Sequence, residues 1–575
     1  MNQAIRWDEE VDLLVAGAGC GGMTAALVGA LEGLDVLICE KTGKVGGTTS
    51  RAAGTLWIPG NSQNRDAGYP DSVEAAAGYL QALIGDRGLD IRKAYLESGP
   101  AVIDDIAART DVRFLPCIKH PDYVVEPGAA VTGRAIMPEP FDGRLLGDDF
   151  ERVRAPIGEF MLLGGMMVGK MDIIHLLNRF RSRASFMHSL KLVLRYFRDR
   201  LRYSRGTRLV MGNALVARLF YSLRKRDVPI RFESSIAELI VEDGAVTGAA
   251  FDTPEGRRHI RARNGVVLAT GGIAHDTELW REFMPVQPTH SIVCESVRGE
   301  GLKVARRAGA VADDDDHRGG ALWQPVSVTP PRKGWSGLFA HLYLDRAKPG
   351  LIAIDSTGKR FGNEADSYHH FSQAMLDNKA WSPSNPCYLI CSAEFVEKWG
   401  LGAIHPRTRN LKPFVDSGYI TMAPTLAGLA AKLKIDPAAL EATVARFNGF
   451  ARAGVDEDFH RGESELNRFN GDPDHRPNPS LGPVEGSAFV ALPVWPAECA
   501  SSAGLKTNAD AQVMNGQGEP ISGLYACGND MASLLKGAYP GPGATLGPAV
   551  VFGYRAAMHA RRRRMDNQRA EAAAG

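Results

Sequence analysis

What this chain lacks narrows its class before any motif is read. Charge of one sign is missing: 67 basic residues against 66 acidic ones leave a formal charge of +1. No global bias therefore points to nucleic acid. Long hydrophobic runs are also missing, because the longest, around Phe160 to Val168, is too short to cross a bilayer. The opening MNQAIRWDEEVD has no basic region before its first apolar run, so no secretory signal is expected. Cysteine is sparse. The eight (Cys20, Cys39, Cys117, Cys294, Cys387, Cys391, Cys499 and Cys527) form no CxxC pair and no disulfide-like spacing, which fits a reducing cytoplasm. Cys387 and Cys391 have no second pair beside them, so no metal site is expected. What remains is 575 residues with 44% hydrophobic content, enough for two domains or more.

The most informative segment is VDLLVAGAGCGGMTAALVGALEGLDVLICEKTGKVGG, from Val11 to Gly47. Val11 to Ala16 reads as a buried parallel strand, and glycines follow it at once. Gly17 permits the tight turn, Gly19 lets the backbone approach a pyrophosphate, and Gly22 lets the next helix pack closely on the strand. Ala18 and Gly21 complete that turn. The phosphates then sit at the helix N-terminus, where free N–H groups and the dipole favour negative charge. A second strand, Asp35 to Cys39, ends on Glu40, about twenty residues past the first glycine, where a ribose-binding acid belongs. Lys41 follows it. The stretch KTGKVGGTTSRAAGTLWIPGN then offers Gly46, Gly47, Thr48, Thr49, Ser50, Ala53 and Gly54 for a second part of a long cofactor. An NAD domain goes into another helix at that point, so the expected cofactor is FAD. Because TTSRAAG carries no histidine for attachment, the flavin is expected to be non-covalent.

Two further signatures lie far downstream and make the dinucleotide domain discontinuous. GVVLATGG, Gly265 to Gly272, is a strand ending in glycines that brings Ala269, Thr270 and Gly271 to the cofactor. It follows a β-meander, Ile230 to Ile260, with a Glu242-Asp243-Gly244 turn. ISGLYACGND, Ile521 to Asp530, delivers Gly528 and Asn529, and the start of the last helix adds Gly543, Thr545 and Leu546. The expected fold is α/β. A discontinuous Rossmann-like FAD-binding domain, 1–318 with 496–575, carries an inserted α+β catalytic and capping domain at 319–495. LIAID, PTLAGLAAKL and PAALEATVARFNGFARAG supply the insertion's strand and helices.

One local charge bias stands out. Lys170, Arg179, Arg181, Arg183, Lys191, Arg195, Arg198, Arg200, Arg202, Arg205 and Arg208 face only Asp172 and Asp199. Leu176, Leu177, Phe180, Leu192, Leu194 and Phe197 interleave at helical spacing. Such a stretch suits an anionic membrane surface, or a solvated face or subunit contact. The expected location is the cytoplasm, with peripheral contact at the inner membrane face.

Taken together, the glycine signatures resemble the fumarate reductase and 3-ketosteroid dehydrogenase superfamily of flavoproteins. HPDYVVEPG with MPEPFDG, GKRFGNEADSYHH and GAYPGPGATLGPAVVFGY resemble the 3-ketosteroid Δ1-dehydrogenases within it. That resemblance implies that Tyr539 and the Gly543 N–H hold a 3-keto oxygen, that Tyr368 takes the C2 proton, and that Tyr123 tunes Tyr368. Hydride leaves C1 for the flavin, and a quinone-type or artificial acceptor then takes the electrons. The logic is sound physically, since a carbonyl polarised by a phenol and an amide gains oxyanion character that acidifies the adjacent carbon. His120 and Ser367 depart from the family pattern, which often has tyrosine and proline there. His369 and His370 follow the motif rather than occupying it and are expected to be structural. Three alternatives remain: a Δ4(5α)-ketosteroid dehydrogenase, a fumarate-reductase-like enzyme reducing an activated double bond, and a flavin-bearing surface protein without turnover.

Overall fold

The computed structural model describes residues 5–284, 286–313, 320–342 and 345–574. Strand β1 (Glu9–Ala16) has Leu13, Leu14 and Val15 fully buried, because a parallel strand covered on both faces has no solvent side. It turns through Gly17 into helix α1 (Cys20–Leu31), which returns the chain to strand β2 (Val36–Cys39). Parallel pairing then orders the central strands as Pro520–Ala526, Gly256–Leu268, β1, β2 and Ile230–Arg231. Segments hundreds of residues apart are thus adjacent, as the strand-glycine signatures imply. The meander Ser235–Glu242, Ala245–Thr253 and Gly256–Leu268 is antiparallel. Its first turn places Asp243 at φ 49° and Gly244 at φ 76°, the pair of positive angles that a two-residue hairpin needs.

Helix α1 packs against the C-terminal helix Leu546–Ala574 at backbone distance. A Cβ on Gly553 would lie 2.5 Å from the Gly21 carbonyl oxygen, so no larger residue fits.

A second sheet is mostly antiparallel and ordered Leu338–Ala340, Ala321–Val328, Phe489–Ser501, Cys387–Ser392 and Leu351–Ile354. Its long strand, Phe489–Ser501, pairs with Cys387–Ser392 through its first half and with Ala321–Val328 through its second. That strand continues past residue 495, and His290–Ser291 joins it from the other side. Arg318 and Gly319, at the expected start of the insertion, lie outside the described residues. The helices expected from PTLAGLAAKL and PAALEATVARFNGFARAG form at Leu426–Leu433 and Pro437–Ala453, each with an N-cap side chain, Thr425 and Asp436.

The basic stretch folds as two helices, Lys170–Leu177 and Arg183–Asp199, around a small cluster of Met166, Val168, Leu192 and Tyr196. Its cationic face is smaller than the sequence suggests. Arg195 pairs with Asp142 and Asp199, Arg208 pairs with Asp172, and Arg205 is buried against the Asn213 side chain. Leu192 also points inward, whereas Phe180, Leu194 and Phe197 are 78%, 59% and 57% exposed. No helix among the described residues is long and apolar enough to cross a membrane.

Candidate functional site

Two joined cavities run along the carboxyl end of the parallel sheet, where ligands of open α/β folds bind. The first is lined by Gly17, Ala18, Gly19, Gly21, Gly22, Glu40 and Lys41 from the first βαβ unit. Gly47, Thr48, Thr49, Ala269, Thr270, Gly271, Gly528, Asn529, Thr545 and Leu546 complete its expected walls. Gly17 has φ +108°, and a Cβ on it would lie 2.2 Å from the Ala269 carbonyl oxygen. The Glu40 carboxylate accepts from the Ala18 N–H at 2.9 Å and from the Thr42 N–H at 2.9 Å. Gly19 caps α1 with no side chain, and although the Cys20 N–H donates to the Thr49 hydroxyl at 3.3 Å, the helix end opens on the cavity. Glycine turn, open helix end and acid past β2 form a cradle that fits a dinucleotide.

Ala53, Gly54 and Gly543 line the second cavity instead, which also takes in Thr48, Thr545 and Leu546. Gly46 and Ser50 line neither. Gly46 turns the chain at φ 112° against Val216, and the Ser50 hydroxyl donates to the Gly47 carbonyl. Cys499 and Ala500, at the end of the long strand of the second sheet, border both cavities. Sequence reasoning gave no sign of them, since their position depends on a strand shared between distant segments.

The second cavity gathers Tyr123, Tyr368 and Tyr539 from three parts of the chain. Their ring centroids lie 5.4 to 5.6 Å apart pairwise. The Tyr368 hydroxyl donates to the Tyr539 hydroxyl at 2.7 Å. Each is held by a rigid surround. Tyr123 follows Asp122, whose carboxylate accepts from Trp57 Nε1 at 2.8 Å and from Arg134 at 2.6 Å. The Tyr123 N–H and the Tyr79 hydroxyl both donate to the Pro540 carbonyl at 2.8 Å, which ties this loop to the Tyr-Pro-Gly-Pro-Gly turn. Gly541 and Gly543 are required there. Cβ atoms would lie 2.6 Å from Asp122 Oδ1 and 2.4 Å from the Thr55 carbonyl oxygen. Among the described residues nothing accepts from the Gly543 N–H.

Tyr368 opens the helix Tyr368–Asp377, and Ser367 caps it by accepting from the His370 N–H. The serine that departs from the family pattern therefore has a structural task of its own. Before it, Glu364 is fully buried between Arg360 and Arg461, and Arg346 donates to the Glu364 carbonyl. Those two guanidiniums hold the Glu364 carboxyl down at about 2 in spite of its burial. Such a network fixes the direction from which Tyr368 enters the cavity. His369 Nδ1 accepts from the Trp323 N–H, and the His370 ring bonds to the Ser367 hydroxyl. Both histidines brace the helix rather than face an open ligand space.

Burial pushes the Tyr368 hydroxyl well above its ordinary range, and the neighbouring Tyr123 and Tyr539 phenols add to the rise. Burial raises Tyr539 as well. The expected phenolate character of Tyr368 is thus opposed by its surroundings in the free protein.

A parallel sheet with a dinucleotide cradle, joined to a tyrosine-lined cleft, defines an FAD-dependent oxidoreductase. The FAD binding domain family matches residues 12–546. The 3-oxosteroid 1-dehydrogenase of Mycobacterium tuberculosis (strain ATCC 25618 / H37Rv) is 34% identical over 96% of this chain and 98% of its own. The 4-oxocyclohex-2-ene-1-carboxylate 5-dehydrogenase of Sinomonas cyclohexanicum is 37% identical over 95% and 92%. The 3-ketosteroid Δ1-dehydrogenase from Sterolibacterium denitrificans, solved with 1,4-androstadiene-3,17-dione, superposes with a TM-score of 0.88 at 33% identity, covering 96% of this chain and 99% of that one. The chain belongs to the 3-oxosteroid 1-dehydrogenase family of FAD-binding flavoproteins.

Proposed function

We propose that the chain is a 3-ketosteroid Δ1-dehydrogenase, removing hydrogens from C1 and C2 of the steroid A ring. The observation that carries this reading is the meeting of three tyrosine rings with a donor that has no acceptor among the described residues, the Gly543 N–H, beside the flavin cavity. Tyr539 and Gly543 bind the ketone oxygen and stabilise the charge that grows on it as the C2 proton leaves. Tyr368 takes that proton, and Tyr123 packs edge-on against it to fix its position. FAD, held by the Gly17–Gly22 turn, Glu40 and Thr48, would supply the acceptor for the hydride lost from C1. The second sheet caps the cleft, and the Rossmann-like domain is completed by the C-terminal segment.

Anaerobic addition of a 3-ketosteroid to the oxidised holoenzyme should bleach the flavin absorbance. An unchanged spectrum would remove the steroid from this site. The small-ring ketoacid of the Sinomonas enzyme is the natural comparison, and bleaching by 4-oxocyclohexanecarboxylate alone would reassign the substrate. The cleft argues against that outcome. Its one guanidinium among the described lining residues, Arg51, is already bound to Glu295.

The flavin is held without a covalent bond. Among the described residues the first cavity's lining includes no histidine, and burial pushes two of its thiols, Cys20 and Cys39, to about 11 and about 12, which leaves little reactive thiolate. Acid precipitation should leave the yellow colour in the supernatant, and a coloured pellet would contradict this.

The electrons would leave for a quinone-type acceptor, and the helices 170–199 rest reversibly on an anionic membrane where such acceptors dissolve. Met171, Met187, Leu194, Phe197 and Leu201 are all exposed, with Arg198 and Arg202 among them. Apolar groups that insert and cations that meet headgroups suit that surface. Anionic vesicles should co-sediment the wild type and lose an Arg198→Glu, Phe197→Ser, Arg202→Glu variant. Equal sedimentation of both would return this face to solvent.

A further inference from the structure

A second large cavity, of about 730 Å³, lies between the helical excursion and the second sheet, outside the flavin and tyrosine sites. Its walls are apolar, with Leu162, Leu176, Phe180, Phe186, Leu190 and Trp335 prominent. Three cations also line it: Arg179, Arg332 and Lys333. No carboxylate among the described residues pairs with any of them. Arg332 stacks over Trp335 at 5.1 Å and Arg179 over Phe180 at 4.8 Å, so both guanidiniums are spread on the apolar wall. The one acid among the described lining residues, Glu159, is 4% exposed and fully engaged. It accepts from the Gly337 N–H, the Ser336 N–H and hydroxyl, and Thr329. The cavity is therefore apolar within and positive, with its only carboxylate turned to another task.

One short segment separates this cavity from the substrate cleft. Ile157 and Phe160 line the cleft, while Gly158, Glu159 and Met161 between and beside them line the outer cavity. Gly158 sits directly on Gly334, since a Cβ on it would lie 1.9 Å from the Gly334 carbonyl oxygen. The Phe160 ring packs against Phe339 at 5.1 Å, tilted by 42°. A ligand anchored by its ketone at Tyr539 and long enough to pass Phe160 would enter the outer cavity with its far end.

We propose that the outer cavity is a subsite for the end of the substrate remote from the ketone, and that its occupant is an apolar side chain ending in a carboxylate. The proposal rests on the ring-ketone reading above. Charge decides the occupant: a carboxylate offers the three cations, of which Arg332 and Lys333 are exposed, a partner that a wholly apolar tail does not. His405 also lines the cavity, and burial, with Arg332 beside it, holds its imidazole below the ordinary range.

The test compares a 3-ketosteroid whose C17 side chain ends in a carboxylate with its methyl ester, on wild-type holoenzyme and an Arg332→Gln, Lys333→Gln variant. Equilibrium binding is read from the flavin spectrum with the corresponding 1,4-diene acid and ester, which have no C1 and C2 hydrogens left to lose by this reaction, and KM from turnover of the substrates. The wild type should bind the acid about tenfold more tightly than the ester, and the variant should lose that ratio. The ratio should also shrink in high salt. Equal affinity for acid and ester in the wild type, or an equal loss for both in the variant, would overturn the subsite. Laurate that binds the variant-sensitive site alongside a bound neutral steroid would also overturn it, by placing a separate amphiphile there. Failure of the ring-ketone reading is seen separately, as flavin that neither ligand bleaches. The acid-to-ester binding ratio still decides the subsite in that case.

Discussion

Replacing Tyr368 with phenylalanine should lower turnover by about 100-fold or more while steroid binding survives. The ring keeps its edge-on contacts with Tyr123 and Tyr539, and only the hydroxyl that bonds to Tyr539 at 2.7 Å is lost. Binding read from the flavin spectrum should therefore stay close to wild type, and the anaerobic rate of flavin reduction should carry the defect. Near-normal reduction by the variant would remove Tyr368 from proton transfer. Tyr539→Phe should lose a similar factor by a different route, because it removes a donor from the ketone rather than the acceptor of the proton. The direction of the pH dependence follows from the same site. A base acts deprotonated, and burial beside two phenols raises Tyr368 above the ordinary value near 10. The proton-transfer rate of the wild type should thus climb about tenfold per pH unit across the neutral and mildly alkaline range. A plateau already present at pH 7 would contradict this.

Gly17→Ala should yield a protein that purifies without colour, with FAD affinity reduced about 100-fold or more. The residue sits at φ +108°, a region that side chains disfavour, and the added methyl would lie 2.2 Å from the Ala269 carbonyl oxygen. Neither neighbour can yield alone. The turn after β1 and the turn after Gly256–Leu268 must separate, and both line the flavin cavity. Circular dichroism distinguishes loss of cofactor from loss of fold. Gly19→Ala serves as the second variant, because nothing lies within 4 Å of its Cβ in the protein itself. That methyl meets only the cofactor, so the apoprotein should fold normally and still bind FAD more weakly. Wild-type affinity in both variants would remove the phosphates from this turn.

Local patterns were legible where the physics is local. The β1–α1–β2 unit, its glycines and Glu40 were readable because strand period, turn geometry and helix start must follow in order along the chain. The hairpin at Asp243-Gly244 was readable for the same reason. Partners from distant segments were not. Arg195, Arg205 and Arg208 counted as free cations in sequence because Asp142 and Asn213 lie outside the stretch, and because helix packing turns Asp172 and Asp199 inward. The surround that aims the tyrosines was equally hidden. Asp122 with Arg134, and Glu364 with Arg360 and Arg461, are buried charges whose pairing only the folded chain reveals. Ser367 looked like a departure and proved to be a helix cap, a role that a capping pattern ahead of Tyr368 could have signalled.

The central sheet also dictates an order of events during synthesis. Pro520–Ala526 lies beside Gly256–Leu268, pairing Leu524, Tyr525 and Ala526 with Val266, Val267 and Leu268, so a strand made long after the first βαβ unit completes the sheet which that unit begins. Until then the carboxyl end of Gly256–Leu268 keeps one edge without its neighbour, and Gly528, Asn529, Thr545 and Leu546 are absent from the cavity wall. An unfinished edge is a template for wrong pairing, and nascent chains meet that hazard while they wait on the ribosome. Coenzyme capture is consequently a step that follows synthesis of Pro520–Ala526 and of the wall residues beyond it. A polypeptide stopped before Pro520 would emerge flavin-free and prone to aggregate.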